Sequence, residues 1–155
     1  MSEIINEADN KREIQNWDDL NLKVDLLRGI YACGFENPSE IQKLAIMPII
    51  SGNDTIAQAQ SGTGKTGAFT ISTLQTIDTT LNILQSVIIA PTQELAKQIY
   101  DVINQLGEFM DNLKIQLLIG GTSVQGDIDS LRKSTPHLVV GCSGRIFDMI
   151  KRRHI

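Results

Sequence analysis

The chain has 155 residues, 41% hydrophobic and 21% charged, with a formal net charge of −4, the balance of an ordinary globular domain and not of a disordered tail. Its longest apolar runs, Ile46 to Ile50 and Val87 to Ala90, are far too short to span a bilayer, and no basic-then-apolar leader opens the sequence. The two cysteines, Cys33 and Cys142, lie far apart without a histidine at ligand spacing, so neither a disulfide framework nor a zinc site is suggested.

A chain of roughly 150 residues buries about 68–70% of its unfolded surface, enough for one self-supporting core. The expectation is a soluble intracellular protein in a reducing compartment, with no membrane partner, placed in the cytoplasm or the nucleus. The charge is uneven along the chain. Residues 1–19 carry six acidic side chains against two basic ones and read as an acidic extension, leaving 20–155 as the folded portion. Residues 131–155 carry six basic side chains against one acidic. Overall acidity argues against bulk coating of nucleic acid, whereas a basic end permits contact with a few phosphates; a solvated helix end explains the same charges.

From Leu20 to Ala32 the apolar positions Leu20, Val24, Leu27 and Ile30 recur at helical spacing, with Gly34 as the stop. Pro38 and Ser39 open a second helix, capped by Ser39, with Ile41, Leu44 and Ala45 as its apolar positions, running to about Pro48 and Gly52. Four β-prone runs follow, Thr55 to Ala57, Ser86 to Ala90, Ile115 to Ile119 and Leu138 to Val140, each trailed by a helix-compatible stretch. After the second run, Leu95, Ile99, Val102, Ile103 and Leu106 make one apolar stripe closed by Gly107. Short strands rich in Val and Ile, alternating with helices, predict an α/β fold with a parallel sheet covered by helices. The loops after the four strands should then gather on one rim, where open sheets of this kind bind ligands.

The sharpest signal is Ala59-Gln60-Ser61-Gly62-Thr63-Gly64-Lys65-Thr66, set between an apolar run and a helix. Its glycines let backbone N–H groups curl around an anion, the helix start adds partial positive charge, Lys65 can reach terminal phosphates, and the Thr66 hydroxyl can ligate Mg²⁺. A chance Gly/Ser/Thr turn is the bland alternative, and the strand and helix on either side disfavour it.

Together with the residues around it, this loop resembles that of the DEAD-box RNA helicases, and within them the translation-initiation-factor type. Upstream, Gly34-Phe35-Glu36-Asn37-Pro38-Ser39-Glu40-Ile41-Gln42 is similar to the family's adenine-recognition motif, with Trp17 at its isolated upstream aromatic position. The resemblance implies that Phe35 stacks on adenine and that the Gln42 amide reads the base, with Trp17, Asn37 and the loop residues Gln60 to Thr66 completing the nucleotide site. Downstream, Pro91-Thr92-Gln93-Glu94-Leu95-Ala96, Gly120-Gly121 and Cys142-Ser143-Gly144-Arg145 resemble the elements that hold RNA through its backbone. Hydroxyls and N–H groups at helix starts suit phosphates and read no base sequence; taken singly, each is also an ordinary strand-to-helix turn.

The resemblance therefore implies a RecA-like domain of the phosphate-loop NTPase class, ATP and Mg²⁺ as cofactors, RNA as partner, and a translation-initiation scaffold protein as a further candidate partner. Lys65 and Thr66 would be its catalytic contribution. Two departures stand out. Gln93 occupies a position where the family has Arg, and Cys142-Ser143 replaces Thr-Pro, so weaker RNA affinity is expected. No Asp-Glu-Ala-Asp motif and no second RecA-like domain occur by Ile155. The expectation is an N-terminal portion of the first domain, with an incomplete sheet and no hydrolysis by this chain alone; a catalytically inert binding piece acting through a partner is the alternative.

Overall fold

The computed structural model describes residues 14–155. Among them, a 3-10 turn at Trp17–Leu20 leads into α1 (Val24–Ala32) and α2 (Glu40–Ile50), followed by α3 (Lys65–Thr76), β1 (Ser86–Ala90), α4 (Gln93–Leu106), β2 (Ile115–Leu118), α5 (Val124–Lys133), β3 (Leu138–Cys142) and α6 (Ser143–Lys151). The three strands form one parallel sheet in the order β1-β3-β2. Val87 pairs with Val139 and Gln116 with Val139, so β3 is central and buried on both faces, as its run of Leu138, Val139 and Val140 requires.

Leu138 and Val140 pack into the larger core with Leu26, Ile30, Ile71, Leu74, Ile99 and Ile103 of α1, α3 and α4. Val139 lies on the opposite face with Leu118, Ile128, Leu131, Ile146 and Met149, beneath α5 and α6. The strand starts are tied by His137, whose carbonyl accepts N–H groups from Gln85 and Ser86 and whose Nδ1 accepts the Lys114 N–H at 3.1 Å. Burial, reinforced by the Lys114 charge, pushes the His137 imidazole below its ordinary range, consistent with a neutral ring acting as acceptor.

Two sequence expectations need correction. Thr55 to Ala57 is not a strand: residues 53–60 have no regular structure and Ile56 is wholly exposed. A strand needs a neighbour to pair its N–H and C=O groups, and no strand lies beside this segment among the described residues. The first helix also starts later, and of its expected apolar positions Leu20 and Ile30 are buried and Leu27 partly buried, whereas Val24 is not. Asn21, in the left-handed region at φ 49°, ends the 3-10 turn that holds Leu20, and Val24 is 80% exposed. Leu26 and Gly29 face inward beside Ile30, because α1 meets α4 at Gly29, where an added Cβ would lie 2.0 Å from the Leu106 carbonyl oxygen. Leu44 of α2 is likewise exposed, while Gln42, Ala45 and Ile46 are buried.

Candidate functional site

The Ala59–Thr66 loop runs directly into α3. Gly64 is its N-cap at φ 101°, a left-handed conformation that favours glycine, and the first residues of the helix are Lys65 and Thr66. Gln60, Ser61, Gly62 and Thr63 are exposed. The Lys65 ammonium is folded over the loop and donates to the carbonyls of Ala59 and Gln60, while Thr63 Oγ1 donates to Gln60 O at 2.8 Å. The loop therefore encircles its own cation at the N-terminus of a 12-residue helix, where backbone N–H groups and the helix dipole both favour an anion.

Gln42 locks this loop to the rest of the molecule. Its Oε1 accepts the Ser39 N–H at 2.8 Å, securing the start of α2, and its Nε2 donates to Gly64 O at 3.2 Å. The packing is close: an added Cβ on Gly64 would fall 2.7 Å from Ser39 Oγ, and one on Gly67 would fall 2.5 Å from Gln42 Nε2. Ser39 Oγ is buried without a hydrogen-bond partner. An amide has two donor hydrogens and an oxygen with two lone pairs, so each end of Gln42 keeps one valence unused.

Phe35 is half-buried beside this cluster, within 3.9 Å of the point where a Gly67 Cβ would stand. Trp17 stands behind it, with ring centroids 6.5 Å apart and planes at 29°, and donates its indole N–H to Phe35 O at 2.9 Å. Trp17, expected at the nucleotide site, is fully enclosed in the core against Phe35. Asn37 is exposed in the turn before Pro38.

At the carboxyl ends of the three strands, Pro91, Thr92, Gln93, Gly120, Cys142, Gly144 and Arg145 line a single open cleft of about 530 Å³. Three strand-to-helix turns build it. Thr92 caps α4 by accepting the Leu95 N–H at 3.2 Å, Ser123 caps α5 by accepting the Gly126 N–H at 3.1 Å, and α6 begins at Ser143. Gly120 admits the Gln93 side chain, whose Nε2 lies 3.0 Å from where a Cβ would be. Gly121, at φ 80°, is exposed beside it.

Arg145 lines the cleft, but its guanidinium points inward. Nη1 bonds the Asp127 carboxylate and donates to Thr122 Oγ1 at 3.0 Å, and Nη2 donates to Thr122 O at 2.9 Å. Only 8% of the Arg145 side chain and 12% of that of Asp127 are exposed. The expectation that Arg145 belongs to an element holding the RNA backbone did not anticipate this pairing, and Thr122 and Asp127 were not among the expected site residues. Eighteen positions separate Asp127 from Arg145, and no motif spacing connects them.

A parallel sheet flanked by helices, with the Ala59–Thr66 loop opening α3 and a cleft at the strand ends, is the fold of a RecA-like domain. Residues 39–155 match the family described as DEAD/DEAH box helicase, and the chain belongs to that family. It is 54% identical over 147 residues to the ATP-dependent RNA helicase eIF4A of Chaetomium globosum, covering 95% of this chain and 36% of the relative. It is 53% identical over 149 residues to the protein of the same name from Pyricularia oryzae, covering 96% and 37% respectively.

Among solved structures, a DEAD box protein from the hyperthermophile Methanococcus jannaschii superposes with a TM-score of 0.83 at 36% identity, covering 91% of this chain and 38% of that one. S. cerevisiae Dbp5 bound to RNA and ADP BeF3 superposes with a TM-score of 0.76 at 32% identity, covering 90% and 35%. The chain thus spans little more than a third of the length of the relatives it matches.

Proposed function

We propose that this chain supplies the adenine-nucleotide site and part of the RNA-backbone site of an ATP-dependent RNA helicase of the initiation-factor 4A type. The observation that carries the reading is the position of Lys65, whose ammonium rests on the Ala59 and Gln60 carbonyls inside a loop that opens a helix. Phosphate oxygens are stronger acceptors for an ammonium than amide carbonyls, so an incoming polyphosphate would draw Lys65 outward while the loop N–H groups close around it.

The residues fit the nucleotide. Gln42 has one lone pair and one N–H left for the base edge, and Phe35, backed by Trp17, offers a ring for stacking. Thr66 Oγ1 would hold Mg²⁺, which supplies charge neutralisation at the phosphates. The cleft lined by Pro91, Thr92, Gln93, Gly120 and Gly144 presents small residues and helix starts, which suit a sugar-phosphate backbone and not base edges. The similarity to eIF4A proteins and to an RNA-bound Dbp5 supports both assignments. A translation-initiation scaffold protein is the proposed further partner of the intact factor.

Lys65→Ala is expected to abolish nucleotide binding, because it removes the only side-chain cation in the Ala59–Thr66 loop. Titration with a fluorescent ATP analogue checks this, and unchanged affinity in the variant would remove the nucleotide assignment.

A further inference from the structure

We infer that Asp127 is a positioning residue for the RNA cleft, acting through Arg145, and that Arg145 serves as an internal clamp and not as a ligand of RNA phosphates. The inference rests on the proposed RNA-backbone role of the cleft and deepens it. Arg145 belongs to the first turn of α6, Thr122 to the loop after β2, and Asp127 to the first turn of α5. The guanidinium spans all three through the Asp127 carboxylate, the Thr122 hydroxyl and the Thr122 carbonyl.

Thr122 directly follows Gly120 and Gly121, and Arg145 directly follows Gly144; Gly120 and Gly144 line the cleft. The clamp therefore fixes the distance between two cleft walls that no backbone hydrogen bond joins beyond the end of the β2–β3 pairing at Leu118↔Gly141. A nearly enclosed guanidinium paired with a carboxylate has its charge compensated and its donors committed. It would have to break three protein contacts to meet a phosphate. Lysine could not replace it, since an ammonium lacks the planar fork that reaches carboxylate and carbonyl together.

The clamp and the phosphate-ligand readings make opposite predictions. Binding of a fluorescein-labelled oligouridine to this chain is measured by anisotropy across a series of salt concentrations. With the clamp, Asp127→Asn weakens binding, although removing a negative charge near an anionic ligand should by electrostatics alone strengthen it. Arg145→Lys and Arg145→Gln weaken it by a similar factor, on the order of ten-fold, and combining either with Asp127→Asn adds little, because all break one network. The salt dependence of Arg145→Gln stays that of the unaltered chain.

If Arg145 binds phosphate instead, Arg145→Lys retains affinity, Asp127→Asn tightens it, and Arg145→Gln lowers the salt slope by about 0.7, the loss of one single-strand phosphate contact. That result overturns the inference. If the unaltered chain binds no oligouridine, the proposed RNA role fails, and the clamp is decided separately by the amide resonances of Gly120, Gly121 and Gly144. Displacement of all three by both Asp127→Asn and Arg145→Lys supports the clamp, and resonances left in place by both overturn it.

Discussion

Gln42 joins two jobs that are separate in most helices: it completes the N-terminus of α2 through Ser39, and it pins the Ala59–Thr66 loop through Gly64. It is 5% exposed, so these are partly desolvated hydrogen bonds, and removing the amide leaves a donor and an acceptor unpaired, at a cost of about 1–3 kcal/mol. A base that presents the wrong edge would leave the remaining amide valences unpaired in the same way. GTP is accordingly expected to compete poorly with a fluorescent ATP analogue, and Gln42→Ala is expected to weaken ATP binding at least ten-fold while narrowing the gap between ATP and GTP. Equal competition by the two nucleotides in the unaltered chain would refute the adenine-reading role.

How far such residues can be recognised in sequence depends on how local their interactions are. Ser39, Gln42 and the loop glycines were legible because capping and anion binding are matters of a few consecutive positions. Thr92, Gly120 and Gly144 were legible because a parallel sheet brings its strand ends to one rim. The direction of Arg145 was not, since its partner lies on another helix, and neither was the enclosure of Trp17, which depends on how the chain before α1 folds back over Phe35.

The same limit appears one level up. The stripe of α4 matches its sequence pattern, with Ile99, Ile103 and Leu106 buried and Gly107 at its end, because fourteen residues give the period enough turns to be unambiguous. Helix α1 has nine residues, and its hydrophobics fit more than one face. What selects the face is Gly29, which lets the backbone of α1 approach the end of α4. Glycine to alanine inside a helix ordinarily stabilises by roughly 1 kcal/mol. Here the sign should reverse: a methyl 2.0 Å from the Leu106 carbonyl oxygen forces the helices apart, and Gly29→Ala is expected to destabilise by about 1–3 kcal/mol. Urea denaturation followed by circular dichroism checks it, and a variant as stable as the original would show that α1 and α4 are not held in this contact.

At the scale of the whole fold, the sheet has two edges, and among the described residues no strand pairs with the free side of β1. Val87 and Ile89 share the face of Val139 by register, yet they are 42% and 61% exposed, because α5 and α6 cover that face over β2 and β3. Thr55 to Ala57, with the β propensity of a strand and no neighbouring strand among the described residues, belongs to the same picture: propensity is local, whereas a ladder needs a partner. This is the scale at which the sequence pattern predicted a strand that the described fold does not form.

Catalysis also belongs to this scale, because phosphoryl transfer to water needs a held metal ion, an oriented nucleophile and a stabilised transition state, and an arginine finger alone contributes about 10³–10⁵ in rate. The Ala59–Thr66 loop brings Lys65 and Thr66, which in the proposed reading would bind phosphate and metal but would not orient water. Two carboxylates near the cleft could be asked to substitute. Asp127 is committed to Arg145, and Glu94 stands exposed in the first turn of α4. This chain by itself is therefore expected to bind ATP without RNA-stimulated hydrolysis and without unwinding. Phosphate release is measured with and without RNA, for the unaltered chain, Glu94→Gln and Asp127→Asn. RNA-stimulated turnover that disappears in either variant at saturating RNA would assign that carboxylate as the base that activates water, and would show that the chain carries a complete active site of its own.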